Sequence, residues 1–235
     1  MDLSVVKQDL GPYRQLDRQR DGFQRAFDQF LAAEPGLRGD VLDIGAGAGP
    51  SPFPTNLPRR IDGVDPSDAV LKHPSLTRRW YGAFETADIP PASYDLALAY
   101  NVAEHIEHAR PFFEKVRSVL RPGGVFWALT PHGRHPFCKI ARAVELLGGK
   151  RAIARRAVNV NAYSSYYRLN TAPQVLRAID GLGFASAKFV YMPSMHWDSY
   201  FPRALRWAPH LFDYVLGTRA APFMLILAYR LQVPQ

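Results

Sequence analysis

The chain has 235 residues, 47% of them hydrophobic, enough for one domain with a sizeable core, and 29 Lys plus Arg against 21 Asp plus Glu leave a net charge of +8. A lone cysteine, Cys138, excludes an internal disulfide and a cysteine-based cluster, and no metal site is expected. Met1 to Gly22 lacks the apolar core of a signal peptide, and the longest apolar run, Ala220 to Tyr229, is interrupted by Pro222 and too short for a span, so the cytoplasm is the expected compartment.

Residues 13–33 place Leu16, Phe23, Phe27, Phe30 and Leu31 on one helical face, which reads first as packing, with Tyr13 and Arg14 as candidate lid residues. Val41, Leu42 and Ile44 then form a short apolar run ending in Gly45, Gly47 and Gly49, the pattern of a buried strand entering a turn where backbone approaches a ligand. Sixteen residues after Gly49, Asp65 closes a second run, Ile61-Asp62-Gly63-Val64-Asp65; a carboxylate there can accept from a ribose diol. A dinucleotide fingerprint would have glycine at position 50, and this chain has Pro50. Pro50, Pro52, Pro54 and Pro58 predict an irregular loop in place of a long helix.

Residues 78–84 read as a third strand, and Tyr94 to Tyr100, apolar on both faces apart from Asp95, as the central strand of a covered parallel sheet. Asn101 sits at its carboxyl end, where open α/β sheets put ligands. Phe112, Phe113, Val116, Val119 and Leu120 form a helical stripe that Pro122-Gly123-Gly124 ends, returning the chain to a strand over Val125 to Thr130.

Four stretches, in this order, carry a resemblance: Val41 to Gly49 (V-L-D-x-G-x-G-x-G); Glu85-Thr86-Ala87-Asp88-Ile89-Pro90 with Tyr94-Asp95-Leu96-Ala97-Leu98-Ala99; Asn101-Val102-Ala103-Glu104-His105-Ile106 (N-V-x-E-H-I/L); and Leu120-Arg121-Pro122-Gly123-Gly124 (L-x-P-G-G). Over about the first 131 residues the chain resembles the class I S-adenosylmethionine-dependent methyltransferases. The resemblance implies an α/β fold, a Rossmann-like doubly wound seven-stranded, mostly parallel sheet with an antiparallel last strand, in a single domain over 1–235. It implies S-adenosyl-L-methionine as cofactor, with Asp43 orienting its amino-acid end, Gly45, Gly47 and Gly49 letting backbone come near, and Asp65 taking the ribose hydroxyls. Glu85 and the backbone of Thr86 would hold the adenine edge, with Glu85 as a merely solvated loop acid the alternative, and Asn101 would stand beside the cofactor. His105 is the first candidate for a general base, because an ordinary imidazole titrates near 6.5; a structural hydrogen-bonding role for it stays open, and His132 and Tyr163 are alternatives.

Residues 132–171 would form a cap inserted after the fifth strand. Phe137, Ile140, Val144 and Leu147 repeat at helical spacing, and the segment from Arg134 to Arg168 holds eight basic residues and one acid, so a basic helical cap is predicted. A solvated positive face, an Arg grip on an anionic acceptor and contact with an anionic membrane surface are all open readings; nucleic acid is disfavoured without a binding module. Residues 172–183 read as a helix, Phe184 to Tyr191 as a sixth strand, 192–220 as a second insertion and Ala221 to Leu231 as the last strand. Trp207, Leu211, Phe212 and Val215 read as core more than pocket.

The expected function is methyl transfer to an O or N atom of a small-molecule acceptor, anionic and lipid-like ones included. A catalytically silent S-adenosylmethionine-binding protein and a nicotinamide-dependent oxidoreductase are the alternatives. The sequence sets neither the acceptor nor the oligomeric state.

Overall fold

The computed structural model describes residues 1–7, 22–49, 51, 56–146, 163–194, 201, 203–217 and 219–235. An eight-stranded sheet organises them, with β1 (Asp2–Lys7), β2 (Asp40–Ile44), β3 (Arg60–Asp65), β4 (Arg79–Tyr81), β5 (Tyr94–Tyr100), β6 (Leu120–Pro131), β7 (Ser186–Met192) and β8 (Ile226–Gln232) in the spatial order β1-β7-β8-β6-β5-β2-β3-β4. From β6 to β4 every pairing is parallel, and β8 enters antiparallel between β6 and β7. These seven strands are the ones expected. The eighth, β1, pairs in parallel outside β7, where no strand was anticipated.

Side chains alternate across the sheet, as strand geometry requires. Leu42, Ile44, Ala97, Ala99 and Phe126 join one core layer, and Val41, Leu96, Leu98, Val125 and Trp127 the other. The helices α2 (Ala109–Val119) and α4 (Ala172–Ile179) cover the first layer through Phe112, Phe113, Val116, Val175 and Ile179. Helix α1 (Gly22–Ala32) covers the second: Phe27 meets Trp127 edge-on at 5.8 Å, and Phe30 stacks on the same indole. Both sheet faces are therefore closed, which leaves strand ends as the place for a ligand.

Several expected boundaries moved. β4 is three residues long, β6 begins at Leu120 with a register irregularity opposite Tyr94 and Leu96, and residues 221–223 make a 3-10 turn before β8. The core reading within 192–220 is corrected at three of its four residues: Trp207, Leu211 and Val215 are exposed, because the helix α5 (Trp207–Phe212) is short and what it buries is Pro209, with Asp213 and Gly217 buried just beyond, while Phe212 is partly buried and packs against the core. Within residues 132–171, Pro136–Leu146 forms the helix α3; Leu147, Lys150, Arg151, Arg155 and Arg156 lie outside the described residues, as do Tyr13, Arg14, Pro50, Pro52 and Pro54.

At the amino ends of β2 and β5 an ion network ties the sheet together. Arg121 donates to Asp95 at 2.6 Å and to Asp40 at 2.9 Å, and Arg59 meets Asp40 with two bonds. The Arg59 hydrogen bond, then Arg121, holds the Asp40 carboxyl down to about 2 against its partial burial. We expect Arg121→Met to lower stability by about 1–2 kcal/mol, a value discounted for partial exposure, and denaturant midpoints check it.

Candidate active site

β2 to β4 run outward in one direction, and β5 starts on the other side of β2. That reversal between β2 and β5 is the switch point at which doubly wound sheets open a crevice at their carboxyl ends. β2 ends at Ile44, and the chain turns through Gly45, Gly47 and Gly49 with φ of 78°, 58° and 82°, a region that glycine enters without strain. The N–H of Gly45 donates to the carbonyl of Val64 at 2.8 Å. The N–H of Gly47 donates to Asp65 Oδ2 at 2.9 Å, while Asp65 Oδ1 accepts from the Ser67 N–H at 2.7 Å. The acid closing β3 thus pins the glycine loop, and a Cβ added at Gly47 would find nothing within 4 Å.

Asp43 is buried within β2. Its side chain stands beside Ser51, and Oδ2 has no hydrogen-bond partner. Burial pushes its carboxyl up to about 7; the nearby Ser51 hydroxyl opposes that rise and the Asp65 charge adds to it. A buried carboxyl oxygen with no protein donor is suited to a cationic or hydrogen-bonding ligand group.

Across the crevice β5 ends at Asn101, which adopts φ 54°, a left-handed conformation that Asn tolerates better than most residues. A 3-10 turn, Ala103–His105, follows. His105 Nδ1 lies 3.0 Å from the Ser164 carbonyl; a carbonyl only accepts, so the neutral ring carries its proton on Nδ1 and leaves the Nε2 lone pair available. The Tyr163 ring meets the imidazole edge-on at 5.9 Å. Glu104 points the other way, into the core, where Oε2 accepts from the Thr130 hydroxyl at 2.9 Å and that oxygen in turn accepts from Asn170 Nδ2 at 2.6 Å. Burial raises the Glu104 carboxyl above the usual range. Its backbone carbonyl accepts from the N–H groups of Tyr166 and Tyr167 at 2.7 and 3.1 Å, docking the 163–167 segment onto the turn.

These elements enclose a cavity of about 620 Å³, within the usual range for small-molecule sites. Gly45, Asp65, Glu85, Thr86, Asn101 and His105 all line it, with Tyr163 and Tyr166. Asp43, Gly47 and Gly49 are not among its lining residues; they form the loop and its support. His132 is elsewhere: it is buried, its Nδ1 3.2 Å from the Met224 carbonyl and its ring against Tyr191, and burial brings it down to about 4. Sequence reasoning assigned no role to Glu104, Ser51 or His73. Glu104 stood within a quoted motif, whereas Ser51 and His73 gave no local signal.

A doubly wound sheet with a glycine turn at its switch point and an acid closing the next strand defines a Rossmann-like nucleotide-binding domain. Residues 42–126 match the family described as methyltransferase domain. The chain is 33% identical over 99 residues to a probable S-adenosylmethionine-dependent methyltransferase of Mycolicibacterium smegmatis, a match covering 40% of this chain and 38% of the relative. It is 35% identical over 125 residues to a ubiquinone biosynthesis O-methyltransferase of Nitrobacter winogradskyi, covering 47% and 46%. Among solved structures, the phosphoethanolamine N-methyltransferase 2 of Haemonchus contortus in complex with S-adenosyl-L-methionine shares the fold with a TM-score of 0.58 at 16% identity, covering 91% of this chain and 53% of that one. The methyltransferase-domain match covers about a third of the chain, and both of the curated relatives align with less than half of it. The chain spans less than half the length of these two curated relatives.

The domain match and the similar methyltransferases point to S-adenosyl-L-methionine as cofactor, and the residues present fit it: an open space beside Gly47, the orphan oxygen of Asp43 and the carboxylates of Asp65 and Glu85 suit a cationic, hydroxyl-bearing nucleoside. The methyltransferase-domain match over residues 42–126 disfavours the nicotinamide alternative. Among the described residues there is no group of three metal-ligating side chains, and no helix is long and apolar enough to cross a membrane.

Proposed function

We propose that this chain transfers a methyl group to an O or N atom of a small, uncharged acceptor. The carrying observation is the single cavity that brings Asp65 and Glu85 together with His105, Tyr163 and Tyr166. In this reading Asp65 receives the ribose hydroxyls while still holding Gly47, since a carboxylate has about four acceptor positions. Glu85 and the Thr86 backbone take the adenine edge, Asn101 stands beside the nucleoside, and Asp43 faces the amino-acid end. The bound cofactor supplies a methyl on a sulfonium, whose leaving group is a neutral thioether. The protein's part is to hold the acceptor in line, exclude water and, for a hydroxyl, remove its proton.

His105 Nε2 takes that proton in this reading, its tautomer set by the Nδ1–H donated to Ser164. Among the described lining residues the formal charges are the carboxylates of Asp65, Glu85 and Glu107, with no Lys or Arg, which favours an uncharged acceptor over an anionic one. An anionic acceptor would need the basic residues of the cap between 150 and 156. A hydroxyl acceptor accords with the O-methyltransferase name of the Nitrobacter relative.

Labelled S-adenosylmethionine with panels of phenols, amines and phosphorylated compounds tests this reading. Transfer to uncharged members is expected, and transfer confined to phosphorylated or carboxylate acceptors overturns it. His105→Ala should lower kcat about a hundredfold, at the low end for a lost base because the leaving group needs no acid, with S-adenosylhomocysteine affinity unchanged. The silent-binder alternative predicts affinity without turnover on any panel.

A further inference from the structure

His73 is fully buried below the glycine loop, 24 residues beyond it in sequence. Its Nδ1 accepts from the Ser75 N–H at 3.2 Å, which places the ring proton on Nε2. Nε2 faces Ser51 Oγ at 3.5 Å, and the Ser51 side chain stands close enough to the Asp43 carboxyl to oppose the rise that burial causes there. With an N–H aimed at its oxygen, the Ser51 hydroxyl has its own proton to give to the carboxylate. The same ring supports the loop directly: Gly49 has φ 82°, and a Cβ there would lie 2.6 Å from His73 Nε2. Arg79 holds the His73 carbonyl from outside with bonds of 2.7 and 3.2 Å. Burial, then the Arg79 charge, lowers the imidazole's proton affinity and keeps this tautomer neutral.

We propose that His73 is a positioning residue of the cofactor site, acting through Ser51 on Asp43 and through its ring edge on the backbone at Gly49. This rests on the assignment of the glycine loop to S-adenosylmethionine. The sequence explains why a side-chain relay is useful here: Pro50, Pro52 and Pro54 have no N–H, so the segment after the loop offers few backbone donors, and the Ser51 hydroxyl serves the carboxylate instead.

Two amides separate the two ring nitrogens. His73→Gln keeps a donor near the Nε2 position and loses the acceptor for Ser75, and His73→Asn does the reverse. Calorimetric binding of S-adenosylhomocysteine to the whole chain is the readout, with melting curves of the free proteins to show that each variant folds. His73→Asn and Ser51→Ala should each weaken binding about tenfold, their double variant no further, and His73→Gln should stay within about threefold of wild type, as expected for residues acting as one unit. Losses that multiply to about a hundredfold in the double variant, or wild-type binding by His73→Asn, overturn the relay. Should the His73 variants fail to fold, Ser51→Ala decides: a tenfold loss upholds the proposal and an unchanged Kd overturns it. Failure of the wild-type protein itself to bind S-adenosylhomocysteine is distinguishable from all of these and removes the underlying cofactor reading, and the relay with it.

Discussion

Replacing Asp65 with alanine is expected to raise the Kd for S-adenosylhomocysteine by about a hundredfold or more, from the loss of two charge-assisted ribose bonds and of loop order together. The carboxylate has two tasks at once. Oδ2 holds the Gly47 N–H and Oδ1 the Ser67 N–H, so its removal frees the glycine loop as well as the ribose site. Water can reach both freed N–H groups once the side chain is gone, which limits the stability loss to about 1–2 kcal/mol. Asp65→Asn separates the tasks: its single carbonyl oxygen can hold one N–H and its amide cannot accept from the other, so an intermediate loss is expected. Calorimetry with S-adenosylhomocysteine and melting curves of the free proteins check both variants, and unchanged affinity in Asp65→Ala would refute the ribose assignment.

Asp43→Asn is expected to stabilise the cofactor-free protein at pH 8 while weakening S-adenosylhomocysteine binding about thirtyfold, the loss of one charge-assisted contact. Burial raises the folded-state carboxyl to about 7, well above an unfolded aspartate. A group raised in this way favours the folded state below the unfolded value near 4, and that contribution is lost as pH climbs through about 7. A rise of that size corresponds to about 4 kcal/mol at pH 8, of which the buried amide gives back about half through its own unmet donors. The net expectation is about 2 kcal/mol in favour of Asp43→Asn at pH 8, shrinking as the pH is lowered to 5 and the wild-type carboxyl takes up its proton. Melting temperatures of both proteins across pH 5 to 8 measure it; a wild-type protein no less stable than the variant at pH 8 would refute the raised carboxyl. The trade is the usual one at ligand sites, where a group strained in the free protein is matched by its ligand.

The strands β2, β3, β5 and β6 were legible because each carries its own signal: a short apolar run bounded by glycine, proline or an acid. The glycine turn and Asp65 could be placed on the same grounds, and the structure does join them, with Gly47 bonded to Asp65. Glu85, Thr86, Asn101 and His105 were named from ordered motifs, and all four line the one cavity. Trp207, Leu211 and Val215 misled, because helical spacing of apolar residues does not say which face of a short helix meets the core, and here they are exposed.

By itself, then, the sequence determined the strand–turn–strand frame around Gly45 to Asp65 and the resemblance that points to a sulfonium cofactor, since local period and glycine placement are properties of adjacent residues. Only the tertiary structure decided that β1 pairs outside β7, that Glu104 turns inward to Thr130 while its carbonyl anchors Tyr166, and that His73 comes up beneath Gly49. Each of those contacts joins residues far apart in the chain. Their partners are selected by the burial and hydrogen-bond needs of the packed sheet, and no short-range pattern encodes that choice.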